Sequence, residues 1–175
     1  ETGIGPGNYS VRLTVGDNSM DQNLLLKRDP RIDIKDRDNR AHQQMMTDLY
    51  NQINDLHDSI VKARNVRSQI QKMNNELEDM ESMEEILEAG EKAINALDKW
   101  EGKVLQTKME TFQDVVNFLN RLNSHMINLL GTIDASDPPL TQGQVDRYSD
   151  LSEEWNNYKK KLNDCLLYTS PSPRD

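Results

Sequence analysis

The stretch that decides the fold is Leu49-Tyr50-Asn51-Gln52-Ile53-Asn54-Asp55-Leu56-His57-Asp58-Ser59-Ile60-Val61-Lys62-Ala63. Its apolar residues Leu49, Ile53, Leu56, Ile60 and Ala63 recur in steps of three and four, the spacing of one face of an α-helix. The stripe extends back to Met45 and forward through Val66, Ile70, Met73, Leu77 and Met80. A stripe sustained over that length is heptad-like, and it predicts one long first helix from about Asn39 to Met80. At 1.5 Å per residue such a helix spans about 60 Å, so it either projects from its neighbours or breaks once.

Three further helices follow from the same periodicity. Met83, Ile86, Leu87, Gly90, Ala93, Ile94, Leu97, Trp100 and Val104 predict a second over about Ser82 to Gln106, where Gly90, Ala93 and Ala96 invite close approach and Gly102 weakens the end. Val115, Leu119, Leu122, Met126, Leu129 and Ile133 predict a third over about Phe112 to Ile133, stopped by Asp137-Pro138-Pro139. Thr141 and Gln144 fit a capping box opening a fourth, to about Asp164, with Val145, Tyr148, Leu151, Trp155, Tyr158 and Leu162 on one face. Lys159, Lys160 and Lys161 fall near its expected end, where cations suit the helix dipole. Short connections favour an antiparallel bundle of about four helices over residues 41–164.

The first 30 residues read differently. Tyr9, Val11, Leu13 and Val15 alternate with Ser10, Arg12 and Thr14, a strand with one apolar face. Gly16-Asp17-Asn18-Ser19 supplies a turn, Met20 to Lys27 a return strand, and Asp29-Pro30 ends it. Leu24 to Leu26 are apolar on both faces, which predicts cover on both sides. A two-stranded hairpin is at best marginal alone in water. It is therefore expected to be the last hairpin of a truncated β domain of Ig-like sandwich type, joined by a linker at residues 31–40 in which Asp36 or Asp38 caps the next helix. At the other end, Cys165-Leu166-Leu167-Tyr168-Thr169-Ser170-Pro171-Ser172-Pro173-Arg174-Asp175 can be written in codons that resemble a transposase-type sequencing adapter read in one frame, the other reading being a Ser/Pro-rich tail. Residues 165–175 are expected to be adapter read-through, which leaves the native segment without cysteine, and so without a disulfide or thiolate metal site.

Composition narrows the function classes. The formal net charge is −9 and aromatic residues make up 5% of the 175. An acidic chain is a poor match to nucleic acid or anionic membrane, and no stretch is long and apolar enough for a span. Asp33, Asp36, Asp38 and Asn39 cluster as oxygen ligands for calcium do, but without the glycine and distal glutamate of an EF-hand they read as a solvated linker. Glu76, Glu78, Asp79, Glu81, Glu84, Glu85, Glu88 and Glu91 form an acidic run on an exposed helix face, not a pair of carboxylates flanking a sugar cleft. His42, His57 and His125 are isolated, and Trp100 and Trp155 lie on apolar stripes as packing residues rather than sugar platforms. The expectation is no catalytic, cofactor-binding or metal-binding residue.

The order of parts carries a resemblance. Pro6-Gly7-Asn8-Tyr9-Ser10-Val11-Arg12-Leu13-Thr14-Val15 and Lys27-Arg28-Asp29-Pro30-Arg31 resemble the last sandwich strands of bacterial sortilin-like BNR-repeat β-propeller proteins, often labelled glycosyl hydrolases. Asn120-Arg121-Leu122-Asn123, the loop Ile133-Asp134-Ala135-Ser136-Asp137-Pro138-Pro139-Leu140-Thr141 and Leu151-Ser152-Glu153-Glu154 match that family's helical region in the same order. The resemblance covers Pro6 to Asp164, but the family's Ser-x-Asp-x-Gly-x-Thr-Trp boxes are absent, so no functional residue carries over. It implies a secreted or periplasmic parent, and, as partners, the parent's β domain and propeller. The expected function is a non-catalytic accessory segment that provides packing or protein-interaction surface. The alternatives are a coiled-coil oligomerisation or scaffold module, pairing with another protein or with itself through the helices, and a support region for a glycan-acting hydrolase whose active site lies upstream.

Overall fold

The computed structural model describes residues 4–27, 29–31 and 33–169. The protein is mainly helical: an antiparallel hairpin, β1 (Gly7–Val15) and β2 (Asn18–Leu26), precedes α1 (Asp36–Leu77), α2 (Glu84–Val104), a short 3-10 turn (Phe112–Val116), α3 (Leu122–Asp134) and α4 (Gln142–Thr169).

Hydrogen bonds between helices fix their directions. Along α1, Arg64 meets Glu101 and Arg67 meets Asp98, so α2 runs antiparallel. His42 meets Ile133 and His57 meets Asn123, so α3 is antiparallel to α1 as well. Gln52 meets Tyr148 and Ser152, and Asp55 meets Trp155 and Lys159, so α4 runs parallel to α1. The bundle therefore has three lanes in cross-section. α1 fills one and α4 another, while α2 and α3 follow each other head to tail along the third. The core is one continuous cluster in which Leu49, Leu56, Leu97, Leu122, Met126, Leu151 and Trp155 are buried.

The boundaries differ from the periodic reading in four places. α1 begins at Asp36, with Lys35 in the cap position and no side-chain cap; Asp36 and Asp38 lie in the first turn, where carboxylates favour the dipole, rather than at the cap. α3 begins at Leu122, not near Phe112. Thr111 and Asp114 close a capping box on the 3-10 turn, and Val115 and Leu119 are left exposed. α4 continues through Asp164 to Thr169, with Leu166 buried in the core, so Lys159–Lys161 lie inside the helix rather than in its last turn. Of the expected read-through, residues 170–175 lie outside the described residues. The return strand begins at Asn18, because the turn tightens to Gly16-Asp17, with Gly16 at φ 57°.

The hairpin stands apart. Tyr9 faces Leu24, Val11 faces Gln22 and Leu13 faces Met20 across the ladder, which gives one apolar face; Ser10–Asn23, Arg12–Asp21 and Thr14–Ser19 form the polar one. Among the described residues, no helix packs on either face beyond the root, where the half-buried Tyr9 borders an open cleft with Gln43 and Thr47 of α1. Val11, Leu13, Val15 and Met20 are all at least half exposed, and Leu24 and Leu25 are open too, so the described residues supply the cover expected around Leu24–Leu26 only at the half-buried Leu26.

Candidate functional site

Three regions concentrate polar chemistry, and each begins at a helix contact. The first clamps α1 to α2. Arg64 and Arg67 sit one turn apart on α1, and Asp98 and Glu101 sit one turn apart on α2, so antiparallel packing brings the pairs together. Glu101, only 3% exposed, accepts from Arg64 Nε at 2.8 Å and Arg67 Nη1 at 3.1 Å, while Arg67 also pairs with Asp98. The Asp98 hydrogen bond, helped by the nearby charge of Asp98 and Glu101, raises the Arg67 guanidinium above its ordinary value. Two cations and two carboxylates balance, so the cluster stitches helices and has no charge left for a ligand.

The second region is a ladder between α1 and α4. Asp55 accepts from Trp155 Nε1 at 2.9 Å and from Lys159 Nζ at 2.7 Å; Gln52 bonds Tyr148 and Ser152. Trp100 Nε1 donates to the Tyr158 carbonyl at 2.8 Å, which ties α2 to α4. Both tryptophans are buried by these contacts, as packing residues.

The third region is an open cleft of about 340 Å³ at the root of the hairpin, between Pro6, Leu26, the start of α1 and the α3–α4 turn. The buried His42 lines it. Its Nε2 lies 2.9 Å from the Ile133 carbonyl, an oxygen that only accepts, so Nε2 carries the proton; Nδ1 is buried with no hydrogen-bond partner among the described residues. Ser136 Oγ donates to the same carbonyl and accepts from Gln144, whose side chain also receives the Thr141 amide of the capping box at α4. This network secures the end of α3 and the start of α4.

The remaining sequence candidates do not converge. Asp33 lies before α1, Asp38 pairs with its neighbour Arg37, and the acidic run from Glu76 to Glu91 is exposed throughout. His57 is exposed and bonded to Asn123 at 2.7 Å, and His125 is exposed on α3. Among the described residues, no group of three or more His, Cys, Asp or Glu is placed to hold a metal ion, and no helix is long and apolar enough to cross a membrane. Burial pushes the Cys165 thiol up from its ordinary value. Sequence reasoning passed over Glu101; the signal lay in the matched i, i+3 charge pairs on α1 and α2.

No protein-family model matches the chain, and no curated protein or solved structure matches it either.

Proposed function

We propose that this chain is a non-catalytic accessory segment, in which the hairpin completes a β domain of Ig-like type and the helical bundle is an appendage giving packing or protein-interaction surface. The observation that carries the reading is the amphipathic hairpin whose apolar face is open and, among the described residues, not covered by a helix. A ribbon of two strands gains little stability by itself, and its apolar face asks for strands supplied from elsewhere. The resemblance to sortilin-like β-propeller proteins supports the same order of parts and a secreted or periplasmic setting. The buried polar groups support a structural role, since the charges of the ion cluster, which borders an open cleft with Leu105 and Met109, pair with one another, as do the groups of the α1–α4 ladder.

Replacing Gly7–Leu26 by a short flexible linker tests this division. With no helix packed on the hairpin, the melting temperature of the bundle should stay within about 3 °C of the parent, less than the shift from losing 1 kcal/mol or so. A drop of about 10 °C or more would make the hairpin part of the bundle and overturn the reading.

A further inference from the structure

We infer that the α1–α2 turn is a hinge through which two copies of this chain exchange halves: α1 and α2 join into one continuous helix, and α2, α3 and α4 of each copy pack on α1 of the other. The inference goes beyond the proposed function and does not rest on the hairpin.

The turn, residues 78–83, lacks the residues that end helices. It contains neither glycine nor proline, and Leu77, Met80, Met83, Leu87, Gly90, Ile94 and Leu97 carry an apolar stripe through it in steps of three and four. The two consecutive steps of three amount to a local overwinding that paired helices accommodate. Glu78 still has helical backbone angles, φ −57° and ψ −37°, and α2 opens after Met83 with no side-chain cap. The chain reverses because Ser82 adopts φ 67°, in the left-handed region, the only non-glycine residue to do so among those described. A residue with a Cβ is strained there, where glycine would not be. Short hinges under strain favour domain exchange, because the extended form releases the strain and keeps the other contacts.

The register permits the exchange. Arg64 pairs with Glu101 and Arg67 with Asp98, and both pairs are centred between Ser82 and Met83. Two straightened copies laid antiparallel remake the same pairs between chains, with the twofold axis at that point. The bonds from α1 to α3 and α4, such as His42 to Ile133 and Asp55 to Trp155, pass from within a copy to between copies. Those from α2 to α4, such as Trp100 to Tyr158, stay within one. The exchanged form gains helix continuity and covers Met80, which is 56% exposed at the tip. Charge opposes it. Near the axis Glu81 of each copy faces Glu84 of the other, and residues 76–91 hold eight carboxylates and no Lys or Arg. Salt screens this repulsion, so ionic strength selects between the closed monomer and the exchanged dimer.

The full chain is refolded from urea at about 0.5 mM, near the effective concentration at which a short connection presents one segment to another, and its mass is read by light scattering. A dimer should form, and more of it in about 0.5 M salt than at low salt. S82G relieves the turn and weakens the continuous helix. With two hinges per dimer, the association constant should fall at least about 25-fold. E81Q/E84Q should raise it at low salt. Charge complementation reads the exchange itself. R64E/R67E and D98R/E101R each place like charges across the α1–α2 contact of a monomer, and opposite charges return only when α2 of one variant packs on α1 of the other. Refolded together, the two should give a mixed dimer that melts at least about 5 °C above either alone. A monomer at every salt concentration, a dimer that S82G leaves unchanged, a dimer lost on replacing the hairpin, or a mixture that melts as the sum of its parts would each overturn the proposal. The melting temperature of the hairpin-replaced chain does not depend on the hinge, so the two readings fail separately.

Discussion

Truncating Glu101 offers the sharpest energetic test of the three-lane bundle, because this buried carboxylate joins α1 to α2 near the level where α2 gives way to α3. Its side chain is 5% exposed, whereas Arg64 is 49% and Arg67 27% exposed. Breaking a fully buried ion pair costs about 3–5 kcal/mol, mostly through the charge left unpaired in a dry site. Here the arginines left behind reach water, and Arg67 keeps Asp98, so the cost is discounted to about 2 kcal/mol for Glu101→Ala. Glu101→Leu fills the same buried space and orphans the same half-solvated arginines, so it should cost less, about 1 kcal/mol. Urea unfolding followed by helical circular dichroism reads both values, and a Glu101→Ala/Arg64→Ala cycle should return a coupling of about 1 kcal/mol. A Glu101→Ala variant within about 0.3 kcal/mol of the parent would show that the cluster does not clamp the helices, and would refute the reasoning.

Two other perturbations follow from local geometry. A Cβ on Gly90 would overlap the end of the Asn74 side chain, whose Oδ1 is buried without a hydrogen-bond partner among the described residues; Gly90→Ala should therefore be near neutral in the parent but stabilise an Asn74→Ala background by about 1 kcal/mol, the helix-propensity gain, as read from urea midpoints. Asp114 accepts the Glu110 and Thr111 amides, which hold its carboxyl below the ordinary value of 3.8. Its contribution to the 3-10 turn is thus fully present above that pH and is lost as pH falls through the lower folded value, so amide shifts at Glu110 and Thr111 should titrate there, and Asp114→Asn should abolish the titration.

How far the sequence revealed this arrangement depends on the kind of information each feature needs. Leu49, Leu151, Trp155 and Leu162 were legible because burial under a helical stripe is periodic, and periodicity survives in one dimension. Val115 and Leu119 share the spacing of α3 yet stay outside it: the Thr111–Asp114 box opens a separate 3-10 turn that ends at Asn117, and asparagines such as Asn117 and Asn120 are weak helix formers. The parallel course of α4 and the tandem placement of α2 and α3 depend on which lane each stripe faces, and apolar spacing alone does not encode that choice. Polar pairs do: Asp55 with Trp155 and Lys159, and Arg64 with Glu101, set direction and register. The same limit applies to the candidate sites. The carboxylates from Glu76 to Glu91 read from sequence as a solvated face and are exposed in the structure, whereas the charge cluster around Glu101 needs the antiparallel pairing of α1 and α2 to be seen.

The central claim is that the hairpin is an unfinished sheet borne by a self-sufficient bundle, and hydrogen exchange on the chain itself tests it most directly. Amides of Val11, Leu13 and Gln22 should exchange at nearly unprotected rates, while those of Leu56, Met126 and Leu151 exchange only through global unfolding. Protection of the hairpin amides equal to that of the core helices would contradict the account, since it would mean the two strands need no others.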